Sequence, residues 1–155
     1  MVGERWPERV AAGAFRGVIA EAESRGIDAV LKQVPLTDLV ALADAARYAG
    51  RTDVARRALL AQRDRFATTA EAHAAAFLLG RLADDAGGSP EAALRWYDRY
   101  LVEAPRGAFA AEALGRKMIA LRRASDPAAP SVAAEYLRLH PSGPHAASAR
   151  EIVNR

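Results

Sequence analysis

The sequence predicts an all-α protein built from antiparallel helix hairpins. Three observations predict it. Of 155 residues, 38 are alanine, the strongest helix former. Valine and isoleucine are few, and no stretch alternates apolar and polar residues with the period of a strand. Proline and glycine interrupt the apolar pattern at closely spaced points, and short links make successive helices antiparallel neighbours. The length suits one domain.

The elements follow in order, seven to nine helices in all. A helix is expected from Trp6 to Arg25. Pro7 sits in its first turn, where no backbone N–H is needed, and Ala11, Phe15, Val18, Ile19 and Ala22 share a face. Gly26 ends it. A short helix near Asp28–Gln33 is stopped by Pro35. Thr37 caps a helix to about Ala49 that buries Leu39, Leu42, Ala43 and Ala46, and Gly50 follows it. Thr52 or Asp53 caps the next, through about Phe66, with Val54, Ala58, Leu59 and Phe66 inward. Another begins near Thr69 and ends before Asp85-Ala86-Gly87-Gly88-Ser89. Ser89-Pro90 restarts the chain as N-cap and first helical residue. Ala93, Trp96, Tyr97, Tyr100 and Leu101 then form an apolar stripe. Helices at about Ala108–Arg123, from Asp126-Pro127 through Leu139, and at about Pro144–Val153 complete the chain, with breaks at Pro105, Gly107 and Pro141.

One pattern is written twice. Tyr100-Leu101, Pro105, Gly107, Ala110, Ala111 and Ala113 recur 36 residues later as Tyr136-Leu137, Pro141, Gly143, Ala146, Ala147 and Ala149. Leu79-Gly80-Arg81 recurs 35 residues later as Leu114-Gly115-Arg116. Periods of this size are those of helical solenoids, whose hairpins bury their apolar faces only by stacking. Gly80 and Gly115 are expected where neighbouring helices approach closely, so that alanine at Gly115 is tolerated and leucine overpacks.

At these residues the chain resembles the tetratricopeptide repeat family. Leu79-Gly80, Ala93, Tyr97, Leu101 and Pro105 match one full unit. A fainter unit precedes it (Leu42, Ala43, Gly50, Ala55, Leu59), and Leu114, Gly115, Tyr136, Leu137 and Pro141 form a following one. The resemblance covers about Leu36 to Arg155. It implies a right-handed α-solenoid: three hairpins and a capping helix over 36–155, with an N-terminal helical hairpin, 1–35, packed on it. The stretches from Asp38 to Arg51 and from Phe77 to Leu101 look like the C-terminal repeat regions of bacterial envelope proteins, some of them anti-sigma or FecR-type regulators. Tyr136–Arg150 looks like repeats of periplasmic Tol-Pal-associated and outer-membrane-assembly proteins. These likenesses imply a partner-binding role in the cell envelope.

Chemistry is sparse. Cysteine is absent, which excludes disulfides and thiolate metal sites. His140 and His145 straddle a Pro-Ser-Gly turn without zinc-site spacing and read as solvated imidazoles. Gly87-Gly88-Ser89-Pro90 lacks the Gly-Lys-Ser/Thr ending of a phosphate loop, and there is no nucleophile elbow. No enzyme activity, cofactor or metal is expected. The Trp96, Tyr97 and Tyr100 cluster reads as core, or else as an aromatic-ligand site. The formal charge of +3 comes from 20 Arg and 2 Lys interspersed with 19 acids, without the basic stripe of nucleic-acid binders. No segment approaches a membrane span, and Met1–Val10 has no signal-peptide core. A soluble domain is expected, cytoplasmic if the chain is complete and periplasmic or envelope-associated if it is a fragment.

The repeat register, carried over from the family, puts the exposed first-helix positions on a concave groove. These are Asp44, Arg47 and Tyr48, then Phe77, Arg81 and Asp84, then Phe109, Glu112 and Arg116. An arginine ladder beside aromatic rings suits carboxylates and extended peptides. The expected function is therefore a non-catalytic protein-interaction scaffold whose groove takes an acidic or amphipathic segment or helix of a partner. The same residues can instead pair among themselves. An Arg-rich nucleic-acid-binding domain and an oligomer-forming structural protein are the alternatives.

Overall fold

The computed structural model describes residues 3–155. Among them there are ten helices and no strand: α1 (Trp6–Ala11), α2 (Phe15–Arg25), α3 (Ile27–Gln33), α4 (Leu36–Tyr48), α5 (Thr52–Arg65), α6 (Ala70–Asp85), α7 (Pro90–Glu103), α8 (Ala110–Arg123), α9 (Ala129–Leu139) and α10 (Ala146–Val153). The contacts divide the chain inside α6, into an N-terminal unit ending at Ala75 and a C-terminal unit, Ala76–Arg155.

In the N-terminal unit the helix expected over Trp6–Arg25 is two helices. The break lies at Gly13, whose φ of 83° no β-carbon favours. Gly13 N–H donates to Val10 O and Ala14 N–H to Arg9 O, both at 2.9 Å, the paired bonds that close a helix end. Ala11, expected inward, is exposed as a result. α4 starts one residue before Thr37, on Pro35, so the threonine lies within the helix and does not cap it. α1 and α2 pack on α4, which pairs along its length with α5. Val18, Ile19, Ala22, Leu39, Leu42, Ala46, Val54, Ala58 and Leu59 are buried between them. Gln62 is the one buried polar side chain among the described residues, and its amide donates to Leu39 O at 3.3 Å. Thr69 caps α6 by accepting Ala72 N–H at 3.2 Å.

The C-terminal unit is held by a device that occurs twice. Tyr100 is buried, and its Oη accepts the N–H of Phe109 at 2.8 Å. Tyr136 is buried likewise, and its Oη accepts the N–H of His145 at 3.0 Å. Each hydroxyl lies where a β-carbon on Gly107 or Gly143 would stand. The recurring Tyr and Gly are thus one interaction: a phenol from the end of a second helix anchors the turn into the next hairpin. α7 packs on α8, α8 on α9 and α9 on α10, and α8 also touches α10. Phe77, Ala93, Tyr97, Tyr100 and Ala113 form one core cluster. Leu114, Met118, Leu121, Val132, Ala133, Tyr136, Ala149 and Ile152 belong to another. Trp96 packs at the edge of the first, and Tyr97 and Tyr100 are core residues.

Both first-helix glycines are close-approach positions, but with different rings above them. A β-carbon on Gly80 would lie 2.5 Å from Tyr97 Cε1. In the next copy the residue equivalent to Tyr97 is Ala133, and the imidazole of His145 covers Gly115 instead. Alanine at Gly115 therefore overlaps the ring, which corrects the tolerance expected from the sequence. Gly115→Ala should lower stability by about 1–3 kcal/mol through overpacking. Adding His145→Ala should recover part of that loss, measured as coupling in a double-mutant cycle; additive losses would remove the ring from the explanation.

The end of α8 carries a residue that sequence reading passed over. Ser125 has a φ of 53°, and Ser125 N–H and Asp126 N–H donate to Arg122 O and Leu121 O at 3.0 and 2.9 Å. This position favours glycine by about 1 kcal/mol. Ser125→Gly should raise the denaturant midpoint, and a lowered midpoint would contradict the left-handed assignment.

Candidate functional site

The predicted groove residues fall in both units. In the N-terminal unit, Arg47 donates to Asp44 one turn back, at 3.2 Å. Burial pushes the Asp44 carboxyl up, against the pull of Arg47. Tyr48 ends α4 with 68% of its surface exposed, and its ring stacks on Phe15 with centroids 4.9 Å apart.

In the C-terminal unit the first-helix residues form a connected polar chain. Tyr97 Oη donates to Asp84. Arg116 lies 3.8 Å from Asp84 and donates from Nε to Glu112 at 2.8 Å. Glu112 in turn lies 3.0 Å from His145 Nε2. Arg123 faces Asp84 at 3.9 Å, and Arg122 faces Glu151 at 3.4 Å. The helical repeat explains the placement: Asp84 lies in the last turn of α6, Glu112 and Arg116 are one turn apart on α8, and the Tyr136 anchor delivers His145 to the start of α10.

Burial raises the Tyr97 phenol, and the hydrogen bond to the Asp84 carboxylate raises it further, so Tyr97 remains a donor. Burial also opposes ionisation of Glu112, but hydrogen bonds from His145 and Arg116 more than offset this, and its carboxyl lies below the usual 4.5. An ionised carboxylate only accepts, so the proton of the His145–Glu112 contact sits on Nε2.

Three sequence expectations are corrected. Phe77 is 2% exposed and stacks on Phe109 at 4.6 Å, so it is a core residue and presents no surface to a partner. Phe109 is only partly open. His145, expected in solvent, has a side chain 17% exposed and engaged by Glu112. Of the ladder arginines, Arg47 and Arg116 are paired internally. Arg81 differs: its Nε is buried and has no hydrogen-bond partner among the described residues.

His145, Tyr97 and Arg123 were missed as members of this constellation. A signal for His145 existed. It is the repeat equivalent of Phe109, and Glu112 is that of Phe77. The same contact is a ring stack in one copy and an acid–base pair in the next. Among the described residues, no group of three or more acids and histidines could hold a metal ion, and no helix is long and apolar enough to cross a membrane. Comparisons with family models, with curated proteins and with solved structures find no match.

A carboxyl lowered by the fold adds stability above its unfolded value, and that contribution is lost as pH falls through the lowered value. Stability should therefore fall more steeply below pH 4.5 in the wild type than in Glu112→Gln, as read by urea unfolding at stepped pH. Parallel profiles would show that the fold does not hold this carboxylate.

Proposed function

We propose that the protein is a non-catalytic interaction module, a right-handed stack of tetratricopeptide-like hairpins that binds an extended or helical segment of a partner protein. Arg81 is the observation that carries this reading. A buried donor without an acceptor costs about 1–3 kcal/mol. It stands beside a face where Asp84, Glu112 and Arg116 already have partners. A carboxylate or backbone carbonyl from a bound segment supplies the missing acceptor, with Phe109 as the partly open apolar neighbour. A carboxylate satisfies that donor more strongly than a carbonyl does, which favours an acidic segment, and the Phe109 ring favours one with an apolar side.

The basic runs support a protein partner over nucleic acid. Arg57 faces Asp28, Lys117 faces Asp98 at 2.7 Å, and Arg63 and Arg65 donate to backbone carbonyls at 2.7 and 2.9 Å. Cations already held this way release few counterions on a phosphate backbone. The bacterial envelope or regulatory setting is part of the proposal and rests on the sequence resemblance. Fractionation of cells making the native gene product reads it directly.

The test recovers a partner by affinity capture and then measures its binding to variants. Arg81→Ala and Arg81→Lys should each weaken it at least about tenfold. Arg95→Glu, an exposed change on α7, should leave it unchanged. Equal affinities for all three would move the site off the first-helix face.

A further inference from the structure

The N-terminal unit carries a surface feature independent of the Arg81 reading. The turn at Gly13 starts α2 at Phe15, and this brings Phe15 under the ring of Tyr48. One face of Tyr48 is stacked, and the residue remains 68% exposed. A cleft of about 360 Å³ opens beside the pair, lined by Gly13, Ala14, Phe15 and Tyr48. A second, of about 400 Å³, continues along α2 past Ile19, Ala20 and Glu23. Arg16 and Ala49 line both, so the two clefts form one furrow.

The charges along this furrow are unevenly satisfied. Arg51 is held by Glu23 at 2.7 Å and by Asp53 at 3.2 Å. Arg47 is held by Asp44 and lies 6.0 Å from the Tyr48 ring. Arg16, at the junction, is exposed and has no hydrogen bond or ion pair among the described residues. The furrow thus presents an aromatic platform, a small-residue floor and a single uncommitted guanidinium.

We propose that this furrow docks an acidic peptide segment of a partner protein, with one aromatic side chain laid against Tyr48 and Phe15 and a carboxylate on Arg16. A guanidinium takes a carboxylate in a bidentate pair, and exposed aromatic anchors beside arginine dominate binding energy at interfaces. The charges single out this occupant. A second copy of the chain, meeting this patch through a two-fold axis, would set one free Arg16 near the other. A nucleic-acid strand needs a run of free cations for its phosphates, and the other arginines here already hold carboxylates.

The probe is a short fluorescent peptide with one tryptophan flanked by glutamates, titrated with the full chain and read by anisotropy. Saturable binding is expected. It should weaken at least about tenfold in Tyr48→Ala and in Arg16→Glu, and be retained in Tyr48→Phe. Arg56→Glu, exposed on α5, and Arg81→Ala should bind as the parent does, which separates this site from the Arg81 face. Replacing the flanking glutamates with lysines should abolish binding. Melting curves confirm that each variant is folded. Absence of saturable binding, equal binding by Tyr48→Ala and Arg16→Glu, or tighter binding of a labelled single-stranded oligonucleotide would overturn the proposal. So would dimerisation of the chain that is lost in Tyr48→Ala.

Discussion

The C-terminal unit depends on one interaction used twice: a buried phenol oxygen that accepts a backbone N–H from the following helix start and occupies the space over a glycine. Tyr100 does this for Phe109 over Gly107, and Tyr136 for His145 over Gly143. The acceptor matters because the turn amide is otherwise among the unpaired donors of a helix start. The glycine matters because any β-carbon there would exclude the hydroxyl. The ring matters because its burial contributes about 1.5–3 kcal/mol. Together they set the angle at which one hairpin hands over to the next, and so they decide which side chains of α6, α8 and α10 meet.

What meets there differs between copies. In the first, the residue after the anchor is Phe109, and it stacks on Phe77. In the second it is His145, and it meets Glu112. The backbone device is conserved within the chain while the contact it delivers has changed from apolar to ionic. Glu112 is in turn joined through Arg116 and Asp84 to Tyr97 in one polar chain. Its consequence for binding is general: a cation that already faces a carboxylate offers a partner little, because the gain must first replace an existing pair. The functional weight therefore shifts, on the faces described above, to arginines that lack such pairs: Arg81 on one unit and Arg16 on the other.

The helices, their apolar faces and the repeat were legible in the residues themselves. The inward positions Leu39, Leu42, Ala46, Ala93, Tyr97 and Tyr100 are all buried as their spacing requires, because helical periodicity is local and survives any packing. Gly13 was overlooked because a single glycine is tolerated within a helix, and only its left-handed φ, with the two closing bonds, makes it a terminus. Ser125 was overlooked for the complementary reason: no residue type announces a left-handed serine.

The candidate site was less legible, and the cause is distance along the chain. The repeat register carried over from the family resemblance aligned Arg47, Arg81 and Arg116 as successive first-helix residues, but not whether a carboxylate stands opposite each one. Asp84 and Arg116 are 32 residues apart, and Glu112 and His145 are 33 apart. Their meeting is set by hairpin stacking, which no local pattern encodes. Phe77 shows the same limit, since a first-helix position reads as exposed until the Phe109 ring is known to cover it. Composition and periodicity determined that this chain would fold into helices and where its proline and glycine would turn them. Only the tertiary structure decided which charges cancel, which ring is covered and which arginines of the candidate faces remain uncommitted, because pairing and burial depend on contacts between helices.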